Sequence, residues 1–126
     1  AKFKNIGLKK REERSQSYLD EALNIFAKAD AKDPTQLEPA IDLLRQALKE
    51  NPRNEDAMES LGVMLAKQAK YQEAIMVMQQ LEMINPDNQM AQMNLSIFYM
   101  KIGDKETAEE HKAKGTVLQF NSALKP

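Results

Sequence analysis

Catalysis and metal binding both need polar groups that converge, and the single histidine is the first place to look for them. His111 lies in Glu109-Glu110-His111-Lys112. An imidazole beside carboxylates is the material of a general base or a metal ligand. A helical ligand pair also needs a second donor three or four residues on, and those positions hold Lys114 and Gly115. The reading is therefore a solvated surface histidine, with Glu109 and Glu110 as a solvated acidic face. No glycine-rich phosphate loop, GxSxG elbow or HExxH pair is present. The other carboxylates are scattered near cations, as Glu12 beside Arg11, or near the imidazole, as Glu106 with His111. Cysteine is absent, which removes disulfides, thiolate metal sites and thiol nucleophiles together. The expectation is no catalytic residue, no cofactor and no metal.

The elements available to position a site are helical. The 126 residues suit one domain, with 42% apolar and 29% charged side chains and only four Gly and five Pro. Ala, Leu, Glu, Lys, Gln and Met dominate, all good helix formers. No apolar run is long enough to span a membrane, and no signal-peptide pattern opens the chain. With no cysteine, a cytoplasmic location is expected. The net charge of −1 argues against nucleic-acid binding. The charge is uneven, with residues 1–14 carrying +4 and the remainder −5. Lys2, Lys4, Lys9, Lys10 and Arg11 interleave there with Phe3, Ile6 and Leu8. That segment reads as a frayed terminus, a helical extension, a docking arm or, through its lysines and Arg11, the only candidate for weak membrane contact.

Punctuation supplies the organisation. Asn51-Pro52-Arg53-Asn54 returns as Asn85-Pro86-Asp87-Asn88, 34 residues on. Before each proline runs an amphipathic stretch, Ala40-Ile41-Leu43-Leu44-Ala47-Leu48 and Ala74-Ile75-Val77-Met78-Leu81-Ile84. The spacing of three and four predicts helices with one apolar face. Proline cannot continue a helix, and Asn54 and Asn88 then stand where N-caps are expected. New helical patterns follow over 55–69 and 89–102. A third copy places Ala108 at the equivalent of Ala74, but Phe120 replaces the proline, so the last helix is predicted to run on to about Ala123. Gly115 falls where a small residue allows close helix approach.

This period and its punctuation resemble the tetratricopeptide repeat, whose 34-residue signature is W-x2-L-G-x2-Y, then A-x3-F, then P. Met58, Leu61, Gly62, Leu65, Ala74, Met78 and Pro86 occupy those places in the second unit. Gln92, Leu95, Ser96, Tyr99, Ala108 and Lys112 do so in the third. The first unit matches through Ala40, Leu44, Ala47 and Pro52. Its first helix fits through Leu19, Ala22, Leu23 and Phe26, or alternatively through Leu23, Phe26 and Ala27. Gln92, Lys112 and Phe120 depart from the pattern and suit a terminal unit with an outward-facing Lys112.

The resemblance implies an all-α chain, a short right-handed α-solenoid of about three repeats. A basic segment over 1–14 would precede a repeat domain over 15–126, with units near 18–54, 55–88 and 89–122. It also implies a non-catalytic protein–protein interaction module, an adaptor or scaffold that docks a partner's peptide or helix in a concave groove. Its groove positions fall on Asp56, Glu59, Val63 and Ala66, then Met90, Met93, Ile97 and Met100. Members that clamp the carboxylate terminus of heat-shock chaperones use Lys, Arg and Asn there. Glu59, Met93 and Ile97 argue against that ligand and for an apolar one, with Asp56 and Glu59 favouring basic flanks.

Met90, Met93, Ile97 and Met100 also stand out without the resemblance. They form one helical stripe, while Leu95, Phe98 and Tyr99 supply apolar contacts on other sides of the same helix. A helix apolar nearly all round needs more cover than three repeats provide. Cover could come from the chain's own ends (Phe3, Ile6 and Leu8, or Val117, Leu118, Phe120 and Leu124), from a partner, or from a second copy. Besides the adaptor, a self-assembling subunit and a small secretion chaperone holding a client segment fit this pattern.

Overall fold

The computed structural model describes residues 2–125, with side chains described from Ile6 onward. Six α-helices and one 3₁₀ turn form its regular structure, with no strand among the described residues. The chain divides into two compact units, Ala1–Met64 and Leu65–Pro126.

The first unit holds α1 (Lys2–Lys28), a 3₁₀ turn (Pro34–Leu37), α2 (Glu38–Glu50) and most of α3 (Glu55–Lys67). α1 runs without a break through the basic segment, and side chains 6–14 are exposed. Burial resolves the register of α1. Leu19 and Ala22, which belong only to the first register, are buried, and Ala27, which belongs only to the second, is exposed, so the first holds, although Leu23, common to both, is 41% exposed. α2 buries Ala40, Ile41, Leu44 and Ala47, the predicted apolar face. The long connection is held by short side chains: Asp33 Oδ1 accepts from Thr35 N at 3.2 Å and so caps the 3₁₀ turn.

The two Asn-Pro turns are alike in hydrogen bonding. Asn51 N donates to Ala47 O and Asn85 N to Leu81 O, both at 2.9 Å. Both asparagines are extended, as the residue before a proline must be, and each side chain accepts from the backbone two residues on at 3.1 Å. The predicted caps are present: Asn54 Oδ1 accepts from Ala57 N at 3.1 Å and Asn88 Oδ1 from Ala91 N at 3.0 Å. Asn54 has a second task. Its Nδ2 donates at 2.9 Å to Ser15 Oγ, which is buried and itself donates to Ala47 O at 2.7 Å. Asn54→Ala therefore loses a cap and a buried bond, and should cost about 2 kcal/mol in urea unfolding. Asn54→Asp keeps the cap oxygen and should lose roughly half of that.

The second unit holds the end of α3, then α4 (Tyr71–Ile84), α5 (Gln89–Lys101) and α6 (Lys105–Ala123). α6 ends at Ala123, as expected for a helix that meets no proline. Two hairpin turns 34 residues apart, at Ala69 and Gly103, reverse the chain with positive φ of 60° and 85°. Each closes the same pair of bonds: Lys70 N to Leu65 O with Ala69 N to Ala66 O, and Asp104 N to Tyr99 O with Gly103 N to Met100 O. This is the left-handed helix end that glycine adopts freely and alanine only at a cost. α4 buries Ala74, Ile75, Met78 and Leu81, and α5 lies against it.

Candidate functional site

α5 is apolar on nearly every side, yet only half of it is covered. Ala91, Gln92, Asn94, Leu95 and Phe98 are buried, whereas Met93, Ile97 and Met100 are 53%, 47% and 48% exposed. These three floor an open groove of about 570 Å³ between α5 and α6. Ser96 adds to the floor, Glu109, His111, Lys112, Gly115, Thr116 and Gln119 form the α6 wall, and Gln89 and Lys101 complete the lining. Met90 shares the stripe and is exposed at 39%, but it lies outside the groove lining.

Cover by the chain's own tail does not occur. Val117, Phe120 and Leu124 are 57%, 63% and 68% exposed, as Ile6 and Leu8 are in the first unit. The stripe is open because the α6 residues beside it are polar, and the apolar tail residues project elsewhere.

The wall explains the groove's shape. On α4, Met78 and Glu82 receive α5: Asn94 Nδ2 lies 3.7 Å from Met78 Sδ, and Gln92 Nε2 donates to Glu82 Oε2 at 2.6 Å. Thirty-four residues on, the same places on α6 hold Lys112 and Thr116, and both line the groove. The groove is thus the counterpart of a surface that already seats a helix. Its α6 wall was absent from the sequence reading, although the repeat interval would have located it.

His111 corrects the sequence reading. It is buried at 8% exposure, not solvated, and its ring stacks on Tyr99 with centroids 5.6 Å apart and planes within 4°. Gln92 stands where the repeat pattern has a large apolar residue, and the histidine is its partner. The bond to Glu82 turns the amide so that Oε1 faces His111 Nδ1 at 2.7 Å. Nδ1 is therefore the donor and carries the proton. Burial holds the imidazole below its ordinary pKa, although Glu82 Oε2, 3.7 Å away, pulls the other way. A neutral, doubly engaged imidazole is a packing device. The pairings suggested earlier are also replaced. Arg11 reaches Glu50 at 3.5 Å rather than Glu12, and His111 faces Glu82 rather than Glu106. Glu109 and Glu110 are solvated as expected, and Lys112 faces outward. Among the described residues no three His, Cys, Asp or Glu side chains are grouped to hold a metal ion.

No family model matches the chain, and no curated protein matches it in sequence. Solved structures do. A crystal structure of MamA superposes with a TM-score of 0.78 at 20% identity, over 89% of this chain and 62% of that one. The second tetratricopeptide domain of Spaghetti (RPAP3), solved bound to the HSP90 peptide SRMEEVD, gives 0.77 at 16% identity, over 86% and 95%. A MamA R50E mutant gives 0.61 at 21% identity, over 90% and 96%. The fold is that of the tetratricopeptide repeat.

The groove positions expected on α3 from the sequence lie outside the lining of the α5–α6 groove. Asp56 is exposed, and Glu59, Val63 and Ala66 are half-buried. Burial pushes the Glu59 carboxyl above its ordinary pKa, and the charge of Asp56 adds to the shift. A carboxylate so placed gains from an added cation. In the basic segment Arg11 donates to Lys49 O at 3.0 Å and Arg14 pairs with Glu50 at 3.1 Å, while Lys9 and Lys10 are exposed. The side chains of Lys2, Phe3 and Lys4 lie outside the described residues. No helix among the described residues is long and apolar enough to cross a membrane.

Proposed function

We propose that the protein is a non-catalytic interaction module that docks an apolar face of a partner's helix in the α5–α6 groove. One observation carries the reading: the half-exposed floor of Met93, Ile97 and Met100 lies in a groove whose counterpart on α4 already seats a helix. Methionine suits an adaptable seat, because its unbranched thioether chain repacks at little cost. Burying these side chains yields roughly 1.5–3 kcal/mol each before the losses of association, which places affinity near the micromolar range.

The neighbouring Spaghetti domain binds a peptide ending in Glu-Glu-Val-Asp. Lys101 and Lys112 line the groove here, but its floor is Met93, Ile97 and Met100, which favours an apolar ligand face over a carboxylate-rich terminus. Asp56 and Glu59 enter this reading through their repeat positions on α3 alone, where their carboxyl groups favour basic residues.

Met93→Glu with Met100→Glu should abolish capture of a partner from native lysate, read by mass spectrometry against wild type. The helical circular-dichroism signal should persist, since both side chains are about half exposed. Unchanged capture rejects the groove as the site.

A further inference from the structure

The outward face of α6 is apolar over its second half. Ala113, Val117, Phe120 and Leu124 recur at intervals of four, three and four, the spacing by which one helix seams to another. They lie opposite Ala108 and His111, the buried residues of α6. All four are exposed, Phe120 by 63% and Leu124 by 68%. Beside the seam, Met83 and Pro86 join Val117 and Leu118 around a second groove of about 650 Å³, which Glu82, Gln92 and Lys114 also line. Met83 is 84% exposed. This surface is separate from the α5–α6 groove.

We infer that this face pairs with a second copy of the chain, α6 against α6, antiparallel about a two-fold axis. Phe120 of each copy enters the groove bounded by Met83, Pro86, Val117 and Leu118 of the other. Self-complementarity selects this occupant. An antiparallel pair centred between Leu118 and Gln119 sets Val117 opposite Phe120 and Ala113 opposite Leu124, so every layer joins a smaller side chain to a larger one. A parallel pair would stack Phe120 on Phe120 and leave Ala113 facing Ala113. The symmetry makes each contact twice. The positions flanking the seam are Lys114, Thr116, Asn121 and Ala123. Lys114 is their only charge and lies 3.8 Å from Glu82. The flanks therefore neither repel a second copy nor carry the charges that would select a foreign helix. At each end, Glu110 falls within about one turn of Lys125 of the other copy.

The test is sedimentation across about 1–300 μM of the full chain, where mass action shifts a weak dimer. The mass should rise from 14.3 kDa toward twice that value. Phe120→Glu should weaken association at least about tenfold while leaving helicity and partner capture through the Met93 groove intact. The native chain has no cysteine, so orientation can be read by mixing Ala113→Cys and Leu124→Cys proteins. Cross-linking between unlike copies supports the antiparallel pair, and cross-linking only between like copies overturns it. A strict monomer over the whole range overturns the inference, as does a dimer that survives Phe120→Glu and is lost with Met93→Glu. Neither result bears on partner capture.

Discussion

Leu95→Ala is expected to lower stability by about 3 kcal/mol, and Ile97→Ala, two residues along the same helix, by less than about 0.5 kcal/mol. Both are aliphatic, so the contrast isolates position. Leu95 is fully buried in the second unit, and truncation leaves a cavity that close-packed neighbours cannot fill. Ile97 is 47% exposed and faces the groove, where solvent replaces the lost methyl groups. The loss at Leu95 is a large share of the roughly 5–15 kcal/mol that holds such a domain together. Urea midpoints check both values. The pair also tests the proposal that the exposed face of α5 is a docking face: on that proposal Ile97→Ala should weaken partner capture while barely shifting the midpoint. A comparable loss of stability at Ile97 would show that the stripe is core.

Gln92→Leu should cost about 2 kcal/mol, because it strands the buried Nδ1–H of His111 and a bond to Glu82. Adding His111→Phe removes the stranded donor and retains a ring on Tyr99, so the double variant should recover about 1–2 kcal/mol of the summed losses. The histidine also sets a pH dependence. Its folded pKa is held below 6.5, first by burial and also by Lys114, against the opposing pull of Glu82 and Glu110. The unfolded chain therefore binds a proton that the folded chain refuses. Stability is full above 6.5 and falls as the pH drops from there toward the folded pKa. Urea midpoints at about pH 7.5 and about pH 5.5 should differ in the wild type, and His111→Phe should shrink the difference. An unchanged difference would place the acid sensitivity elsewhere.

The parts of the fold legible in the sequence are those written in local chemistry. A proline that cannot continue a helix and an asparagine that caps the next one recur at a fixed interval. That interval gave the helices, their buried faces and the run of α6 to Ala123. The stripe on α5 was legible for a related reason, since apolar residues on every side of one helix exceed what its neighbours can cover. What was missed depends on pairs distant in the chain. His111 sits among charged neighbours, and those neighbours describe the average of its turn, not the direction of its ring. Its partner Gln92 lies on another helix, where its own departure from the repeat pattern was the available signal. The register of α1 likewise needed Ser15, buried through bonds to α2 and Asn54, which no amphipathic period reveals. Lys112 was read as an outward cap of the last helix, correctly, but not as a wall beside Met93, because that requires knowing which helix lies alongside.

The Glu82–Gln92–His111 chain of bonds has one more consequence, for alignment. A slip of α6 past α5 by a single turn would put Asp104 or Lys112 at the buried place of Ala108. That slip would bring Thr107 or Gly115 level with the Gln92 amide, and neither has a ring for Tyr99 to meet. The amide and the small alanine therefore refuse the same slip, one for want of a bond and the other because a charge would be buried.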